Sequence, residues 1–482
     1  MNIITKELFW DRKVELEGLR AIHETKNAAF VKLYGRRRVG KTELILRFLR
    51  ELPKRTYLYY YVDRAEDEVY YQTLSDAIER QIGDKVKINS WDDFFDYVAK
   101  KSQDRFVLVI DEVPRFMDAK SIFLTRLQHA WGTDPKLENS KVMIILVGSS
   151  ISMMDRMTNQ NGPLYGRITH TKKLSPFRYV DLRGLFKGKP EEEIIKHYAV
   201  FGGTPHYVRI AYLESKELDE AIMTLIVRPQ SALSKEADEL FDIEGVREPA
   251  RYVSILTAIA QGNLKLPQIG SLTGIQMEQL PTYLNTLHDR LDLVEPADPI
   301  GGKKKNARYE VSDNFFRFWF KFVFPHRSSI ELGNTKDIHK LIHDQLPAFT
   351  GHVFEKIVRE LFILYQGRDI MGVPILFDEI GSWWPSKGEL PGMKDTGDID
   401  VVARHEKSKT TYVADVKFTT DEYGFREFNV FQERIKNLPY GGSVLPFIVS
   451  RSGFKSDFVK HAKERKIPLI DLEQLSSLFD KA

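Results

Sequence analysis

The chain has no cysteine among its 482 residues. This absence excludes disulfide bonds, thiolate zinc sites and a cysteine nucleophile, and it fits a reducing cytosol. The sequence also lacks a run of about 18 apolar residues, and its first residues lack the apolar core of a signal peptide. We therefore expect a cytoplasmic protein with no membrane partner.

A strong excess of charge of either sign is missing as well. The formal net charge is +3, so any binding to nucleic acid would depend on local basic patches. The hydrophobic content of 42% and the charged content of 29% are ordinary for a globular protein. Because 482 residues exceed what one core can bury, the length predicts about two to four domains.

In the first third of the chain, short β-branched runs alternate with amphipathic stretches. This alternation predicts an α/β fold in which helices cover a parallel sheet. Two of the runs, near 108 and 145, are almost continuously apolar, as in strands buried on both faces. The expected strands are 29–34, 56–62, 105–111 and 141–147, and helices are expected at 91–101 and 120–131.

The segment 35–42 reads GRRRVGKT and satisfies the pattern GxxxxGK[ST]. Gly35 and Gly40 would let backbone N–H groups turn toward phosphates, Lys41 would reach the β/γ oxygens, and the Thr42 hydroxyl would ligate Mg²⁺. A predicted strand precedes the segment and a helix-forming stretch follows it, as phosphate binding at a helix N-terminus requires. The pattern predicts binding of ATP or GTP with Mg²⁺.

Asp111 and Glu112 end the third predicted strand. Asp111 would hold Mg²⁺ through water, and Glu112 would orient or deprotonate the attacking water. The two motifs agree in order and context, and together they predict a P-loop nucleotide triphosphatase.

Two further positions fit the same reaction. Ser149, or equally Ser150, lies just past the fourth predicted strand and would contact the γ-phosphate or the attacking water. Arg167 would stabilise transition-state charge as an arginine finger, and the alternative is a solvated surface arginine. A finger acting in trans would require a homo-oligomer.

Residues 247–312 combine apolar positions at helical spacing with a Gly/Lys turn and a short strand at 308–311. Three helices and a basic hairpin predict a winged helix-turn-helix. The helix 279–290 would enter a major groove, with Lys303, Lys304 and Lys305 at the wing tip. Few base-reading donors lie on that helix, so a packing module that relays the nucleotide state is an equal alternative.

Carboxylates and a lysine recur near the C-terminus. Asp400 lies on one predicted strand, and Asp415 and Lys417 lie two residues apart on the next, so their side chains share a face. Glu355 lies in a helix predicted over 351–365. Such carboxylates would hold Mg²⁺ or Mn²⁺ while Lys417 positions or activates water. The alternative is a pair of solvated strand faces.

The first half of the chain resembles the archaeal ATPase family, a branch of the STAND-type, AAA+-related ATPases. Besides the two P-loop motifs, residues 9–15 (FWDRKVE) look like the N-terminal element of that class, of which Arg12 carries over. Asp11 and Lys13 depart from the element. The segment that ends in Pro205 looks like the GxP of the class, although a plain turn would explain it too. The resemblance implies that Arg12 and Pro205 belong to the nucleotide site.

The C-terminal region resembles the PD-(D/E)xK nuclease core, in the variant fused to archaeal ATPases as a domain of unknown function. Ile399 replaces the leading proline, and Asp415 stands where glutamate is commoner. The resemblance implies a restriction-endonuclease-like α/β domain and DNA as a partner. Its matching positions are Glu355, Asp400, Asp415, Lys417 and Gln432.

The predicted organisation is a P-loop ATPase core at 1–180, a helical lid at 181–246, a winged helix with an aromatic connector at 247–330, and a nuclease-like domain at 331–482. The expected function is a Mg²⁺-dependent ATP switch coupled to a DNA-binding or DNA-cleaving domain, in defence or DNA processing. One alternative is a STAND-like regulatory ATPase whose nuclease fold is inactive. Another is a remodelling ATPase that uses this domain as a clamp on DNA.

Overall fold

The computed structural model groups the chain into two compact units. The first comprises Met1–Pro176, Thr204–His206 and Asp289–Leu291, and the second comprises Phe177–Gly203, Tyr207–His288 and Asp292–Ala482. The residues that the structure describes are 10, 12–25, 27–118, 120–214, 217–244, 246–301, 307–385 and 397–482. Lys303, Lys304 and Lys305, the predicted wing tip, lie outside them.

The first unit is built on a parallel sheet with the strand order β2-β3-β4-β1-β5. The predicted strands are confirmed, the first of them to the residue, and β3 and β4 are buried throughout as their apolar runs indicated. The strands are β1 (Ala29–Tyr34), β2 (Tyr57–Tyr61), β3 (Phe106–Asp111), β4 (Val142–Gly148) and β5 (His170–Lys173).

Helices cover both faces of this sheet. The core against one face includes side chains of α1 and α2, and the core against the other includes side chains of α3, α4 and α6. Val107 and Val109 belong to the first core, whereas Leu108 belongs to the second, as strand alternation requires. The helices are α1 (Lys13–Glu24), α2 (Lys41–Arg50), α3 (Asp67–Ile82), α4 (Trp91–Lys101), α5 (Pro114–Asp118), α6 (Phe123–Gln128) and α7 (Ile151–Thr158).

The helix predicted over 120–131 begins later than expected. Lys120 has a φ of 54°, a left-handed conformation that cannot start a right-handed helix. The α-helix therefore begins at Phe123, and a π-helical turn, His129–Thr133, completes the segment.

The second unit begins with a helical region and continues into three helices followed by an antiparallel hairpin, β6 (Val294–Ala297) and β7 (Arg308–Val311). The strand predicted at 308–311 is confirmed. The helices of this part are α8 (Tyr179–Arg183), α9 (Glu191–Phe201), α10 (Pro205–Glu214), α11 (Leu218–Ile222), α12 (Glu236–Ile243), α13 (Pro249–Ala260), α14 (Leu266–Thr273) and α15 (Leu280–Asn285). Further π-helical turns are Met223–Val227 and Thr286–Arg290.

An aromatic stretch leads from the hairpin into a 30-residue helix, Thr335–Leu364, which is longer than the predicted 351–365 and contains Pro347. The stretch comprises α16 (Asn314–Phe318), the π-helical turn Trp319–Val323, the 3₁₀ turn Phe324–His326 and α17 (Arg327–Glu331). The long helix is α18. A short hairpin follows it, β8 (Asp369–Ile370) and β9 (Val373–Pro374).

The last part of the second unit is a mixed sheet with the order β10-β11-β12-β13-β14. The β11 strand pairs antiparallel with β10 and β12, whereas β12, β13 and β14 run parallel. The elements are β10 (Glu379–Trp383), β11 (Ile399–His405), β12 (Thr410–Lys417), α19 (Phe425–Lys436), β13 (Ser443–Ser450), α20 (Ser456–Glu464), β14 (Leu469–Ile470) and α21 (Leu472–Lys481). Within the described ranges, no helix has the length and apolar character needed to cross a bilayer.

Candidate functional site

The loop between β1 and α2 has the backbone that a phosphate cradle needs. Gly35 has a φ of 154°, and a Cβ there would lie 2.2 Å from the carbonyl oxygen of Leu174. Gly40 caps α2 with a φ of 90°, a left-handed conformation that favours glycine. Both glycines are therefore required by the local geometry, and the loop delivers the chain into the N-terminus of α2, where anions bind favourably.

Lys41 is the first residue of α2, and its side chain is turned back over the loop. Its Nζ donates to the carbonyl oxygens of Gly35 at 2.8 Å and of Arg36 at 2.9 Å, and the residue is buried. The ammonium therefore lies against the backbone that would surround the phosphates.

Asp111 ends β3 and is fully buried. Its Oδ2 accepts hydrogen bonds from Thr42 Oγ1 and from the Tyr59 hydroxyl, both at 2.8 Å, and its Oδ1 accepts one from the Glu112 N–H at 2.9 Å. The structure thus brings together Thr42 and Asp111, which are far apart in sequence.

Glu112 follows with a φ of 60°. Its Oε1 accepts a hydrogen bond from Ser149 Oγ at 2.7 Å. Ser150, the equal candidate from the sequence, has a different contact: its Oγ caps α7 by accepting from the N–H of Met153. Ser149 is therefore the serine that contacts the proposed water-positioning carboxylate.

Arg12 contacts the loop backbone. Its Nη2 donates to the carbonyl oxygens of Val39 at 3.2 Å and Ser175 at 2.8 Å, and its Nη1 pairs with Glu15 at 2.9 Å. Pro205 approaches from another segment, because a Cβ on Gly40 would lie 3.9 Å from its Cγ. Both residues that the family resemblance implied therefore lie beside the loop.

Arg167 has its contacts elsewhere in the first unit. Its Nη1 donates to the carbonyl oxygen of Tyr165 at 2.9 Å, and its guanidinium lies beside Gly132. Neither partner belongs to the phosphate loop. A role in trans stays a prediction.

Sequence reasoning missed two residues at this site, Tyr59 and Gln81. Tyr59 lies on the edge strand β2, and both its N–H and its carbonyl are paired with the side-chain amide of Gln81, at 3.0 and 2.8 Å. Three consecutive tyrosines, 59–61, occupy this strand. The register of β2 on β3 pairs Asp111 with Tyr61 and Val109 with Tyr59, so the contact of Tyr59 with Asp111 is made by its side chain and is visible only in the folded sheet.

The donors at this site suit Mg²⁺, which prefers hard oxygen ligands and is held by one or two protein groups together with substrate phosphates. Thr42 supplies a hydroxyl and Asp111 a carboxylate, 2.8 Å apart. In the described part of the chain, no group of three or more His, Asp or Glu side chains could hold a metal ion. The Thr42–Asp111 pair therefore fits Mg²⁺ in company with a nucleotide.

The second unit holds the predicted carboxylates in one cluster. Lys417 Nζ lies 2.6 Å from Asp415 Oδ1 and 3.7 Å from Asp400 Oδ2. Asp400 Oδ2 also accepts from the Val416 N–H at 2.8 Å, and the buried Tyr423 donates its hydroxyl to Asp415 Oδ2 at 2.6 Å. The lysine therefore bridges the two acids, and Tyr423 fixes the second one.

The charged groups of this cluster shift the pKa values of Asp400 and Lys417. Burial, with repulsion from Glu355 and Asp415, raises the pKa of Asp400 to about 8, although Lys417 acts in the opposite direction. Burial alone would lower the pKa of Lys417, but attraction to Asp400 and Asp415 outweighs it and raises that pKa. A cation beyond the lysine would relieve the remaining repulsion between the carboxylates.

The β6–β7 hairpin is attached to the C-terminal part of the second unit. Arg308 on β7 pairs with Asp398 at 2.7 Å, and Glu310 pairs with Lys356 on α18 at 2.8 Å. Ile300, between the two strands, is buried in the core of the C-terminal sheet. This hairpin therefore packs against the region that carries the carboxylate cluster.

Known proteins match both parts of the chain. Residues 9–210 match the model of an ATPase domain found predominantly in Archaea, and residues 319–428 match a domain of archaeal and bacterial proteins of unknown function. A protein of Methanocaldococcus jannaschii, itself uncharacterized, is 31% identical over 415 residues, which are 85% of this chain and 88% of that protein.

Solved structures also align with this chain. The Walker-type ATPase of Pyrococcus abyssi aligns with a TM-score of 0.51 at 22% identity, over 65% of this chain and 97% of that one. The ORC2 protein of Aeropyrum pernix aligns with a TM-score of 0.45 at 16% identity, over 71% and 97%. At 22% identity, the first likeness shows a shared fold.

The parallel sheet, the glycine-shaped loop and the buried Asp111 beside Thr42 define a P-loop ATPase. The chain belongs to the archaeal ATPase family, in the form that carries the C-terminal domain of unknown function. The family predicted from the sequence is confirmed.

Proposed function

We propose that the first unit binds ATP with Mg²⁺ and hydrolyses it. The observation that carries this proposal is the contact of Thr42 with the buried Asp111 beside the phosphate loop. Lys41 would bind the β/γ-phosphate oxygens, and Mg²⁺ bound by Thr42 and Asp111 would neutralise phosphate charge. Glu112, held by Ser149, would orient the attacking water.

Three variants test this proposal. Lys41→Ala removes the ammonium that offsets phosphate charge, and we expect a loss of ATP affinity on the order of a hundredfold or more. Glu112→Gln should keep ATP binding, because the amide oxygen can still accept from Ser149. It should lose turnover, because the carboxylate that orients or deprotonates the attacking water is gone. Lys54→Ala, at an exposed lysine, is the matched control and should behave as wild type. Unchanged turnover in Lys41→Ala would overturn the assignment.

We infer that the C-terminal region is a restriction-endonuclease-like domain that binds a divalent cation and cleaves DNA under the control of the ATPase, in defence or DNA processing. The convergence of Asp400, Asp415 and Lys417 at one place supports this proposal. A bound cation would act as the Lewis acid for phosphodiester cleavage. Glu355 would assist from α18, where its charge adds to the effect of burial in raising the pKa of Asp400.

Two variants of the cluster separate metal binding from DNA cleavage. Asp415→Asn should lose Mn²⁺ binding and cleavage, while Lys417→Ala should keep the metal and lose cleavage. Calorimetric titration of Mn²⁺ into the full chain and a plasmid-nicking assay, with and without ATP, read the two effects. Lys436→Ala, on the exposed face of α19, is the control. Absence of both binding and cleavage would favour the alternative function, a regulatory ATPase with an inactive nuclease fold.

We propose that α13, α14, α15 and the β6–β7 hairpin form a winged helix that relays the nucleotide state, rather than one whose wing enters DNA. The ion pairs of Arg308 with Asp398 and of Glu310 with Lys356 support this choice, because they commit the hairpin to a protein surface. Replacing Lys303, Lys304 and Lys305 together by alanine should leave DNA affinity and its salt dependence unchanged. A fall in the salt slope by about three would show that the wing contacts phosphates.

A further inference from the structure

Asp111 Oδ2 already has its hydrogen-bonding capacity filled by the protein. A carboxylate oxygen offers about two lone-pair sites. At Oδ2 these are taken by the hydroxyls of Thr42 and Tyr59, both at 2.8 Å, and Asp111 is fully buried. A further donor at this oxygen must therefore displace one of the two hydroxyls.

The two hydroxyls are not equivalent in this competition. The Thr42 hydroxyl can offer its own lone pair to a metal ion while it continues to donate its hydrogen bond to Asp111. The Tyr59 phenol comes from β2, the strand beside β3, and it donates to Asp111 without belonging to the phosphate loop. A metal-bound water that reaches Oδ2 would therefore take the place of Tyr59.

The backbone of Tyr59 is fixed at the outer edge of β2. Its N–H and carbonyl are both held by the side-chain amide of Gln81 on α3. Asp111 can therefore be released by a movement of the Tyr59 side chain alone, while the strand stays in place.

We propose that Tyr59 is a positioning residue that competes with metal-bound water for Asp111 Oδ2 and thereby sets the Mg²⁺ requirement of nucleotide binding. This inference rests on the Mg²⁺-dependent nucleotide binding proposed above.

The test compares Tyr59→Phe with Tyr60→Phe. Both remove one hydroxyl from β2, but the Tyr60 hydroxyl is bonded to Thr73 and does not touch Asp111. The measured quantity is the Mg²⁺ concentration that gives half of the metal-dependent gain in ADP affinity. For Tyr59→Phe we expect this concentration to fall about tenfold, equivalent to about 1.4 kcal/mol. ADP affinity in EDTA should be unchanged, and Tyr60→Phe should match wild type in both measurements.

Thermal unfolding of the same proteins gives a second readout. In EDTA, Tyr59→Phe should melt below wild type, and in saturating Mg²⁺ and ADP this difference should disappear. Tyr60→Phe should lose the same amount in both conditions, as a purely structural hydroxyl would. An unchanged or higher Mg²⁺ requirement, or an equal loss of melting temperature in both conditions, would overturn the role of Tyr59 alone. A wild-type protein without metal-dependent ADP binding would overturn the proposed function as well.

Discussion

Arg451 and Glu192 form an ion pair, with Nη2 and Oε1 2.8 Å apart, that joins the end of β13 to α9. The N–H of Arg451 also donates to the carbonyl oxygen of Lys417 at 2.9 Å, and its guanidinium lies over the ring of Phe418. The helical region of the second unit is therefore tied to the strand end that carries the carboxylate cluster.

This tie predicts a measurable coupling. Partly buried pairs such as this one are worth about 0.5–1 kcal/mol. A double-mutant cycle with Glu192→Gln and Arg451→Gln, read by urea unfolding, should return a coupling free energy of about that size. The exposed pair of Glu433 and Lys436 provides the control, and its cycle should give a coupling close to zero. Equal values for the two pairs would contradict the tie.

Arg12 is expected to act on nucleotide affinity through the loop. Arg12→Ala leaves the carbonyl of Val39 without this donor and loosens the cradle, so the Kd for ATP should rise about tenfold, or about 1.4 kcal/mol. Arg20→Ala is the control, because Arg20 lies on the exposed side of α1 and pairs with Glu51. Fluorescence titration with a labelled nucleotide measures both. A loss of affinity shared by the two variants would show a general effect of charge.

Arg167 is expected to act on a neighbouring subunit. Turnover per chain should rise with protein concentration, and a mixture of Arg167→Ala with Lys41→Ala chains should recover part of the activity that each lacks. Fingers contribute on the order of 10³ in rate where they act. A fully active Arg167→Ala variant whose turnover is independent of concentration would leave this arginine with a structural role, through its contacts to Tyr165 and Gly132.

His197 should make the second unit sensitive to acid. Burial, assisted by Lys189, lowers its pKa to about 4, and its ring lies between those of Phe186 and Phe201. Because the folded pKa lies below the unfolded value of about 6.5, stability is complete above pH 6.5 and declines as the pH falls toward 4. The full decline is about 3 kcal/mol.

The measurement is the difference in unfolding free energy between His197→Phe and wild type across this pH range. The phenyl ring keeps the packing and cannot be protonated, so the variant should become relatively more stable from pH 6.5 downward. His343→Phe, at an exposed histidine, should show no such trend. Parallel pH profiles for wild type and His197→Phe would refute the account.

The parts that could be predicted are those encoded by neighbouring residues. The first four strands and α4 follow from apolar runs and helical spacing, and β1 and α4 match the expected residues. The local pattern failed to predict the start of a helix where one residue adopts an unusual backbone conformation. Lys120 continues a helical pattern in sequence, but its left-handed φ delays the helix to Phe123.

The same distinction between local patterns and distant partners applies to the residues of the site. The sequence by itself determined the phosphate loop, because Gly35, Gly40, Lys41 and Thr42 lie within eight consecutive residues whose backbone requirements are local. It also determined that acids end β3 and that Asp415 and Lys417 share a face, because strand alternation is local too.

Only the tertiary structure decided which distant side chains meet these residues. The contacts of Tyr59 with Asp111, of Ser149 with Glu112 and of Arg451 with Glu192 join positions that are far apart in the chain. Each contact depends on the order of the strands and on their register, which in turn depend on how the buried faces of many elements pack together. A pattern within one element carries no information on that order, so these partners were visible only in the folded chain.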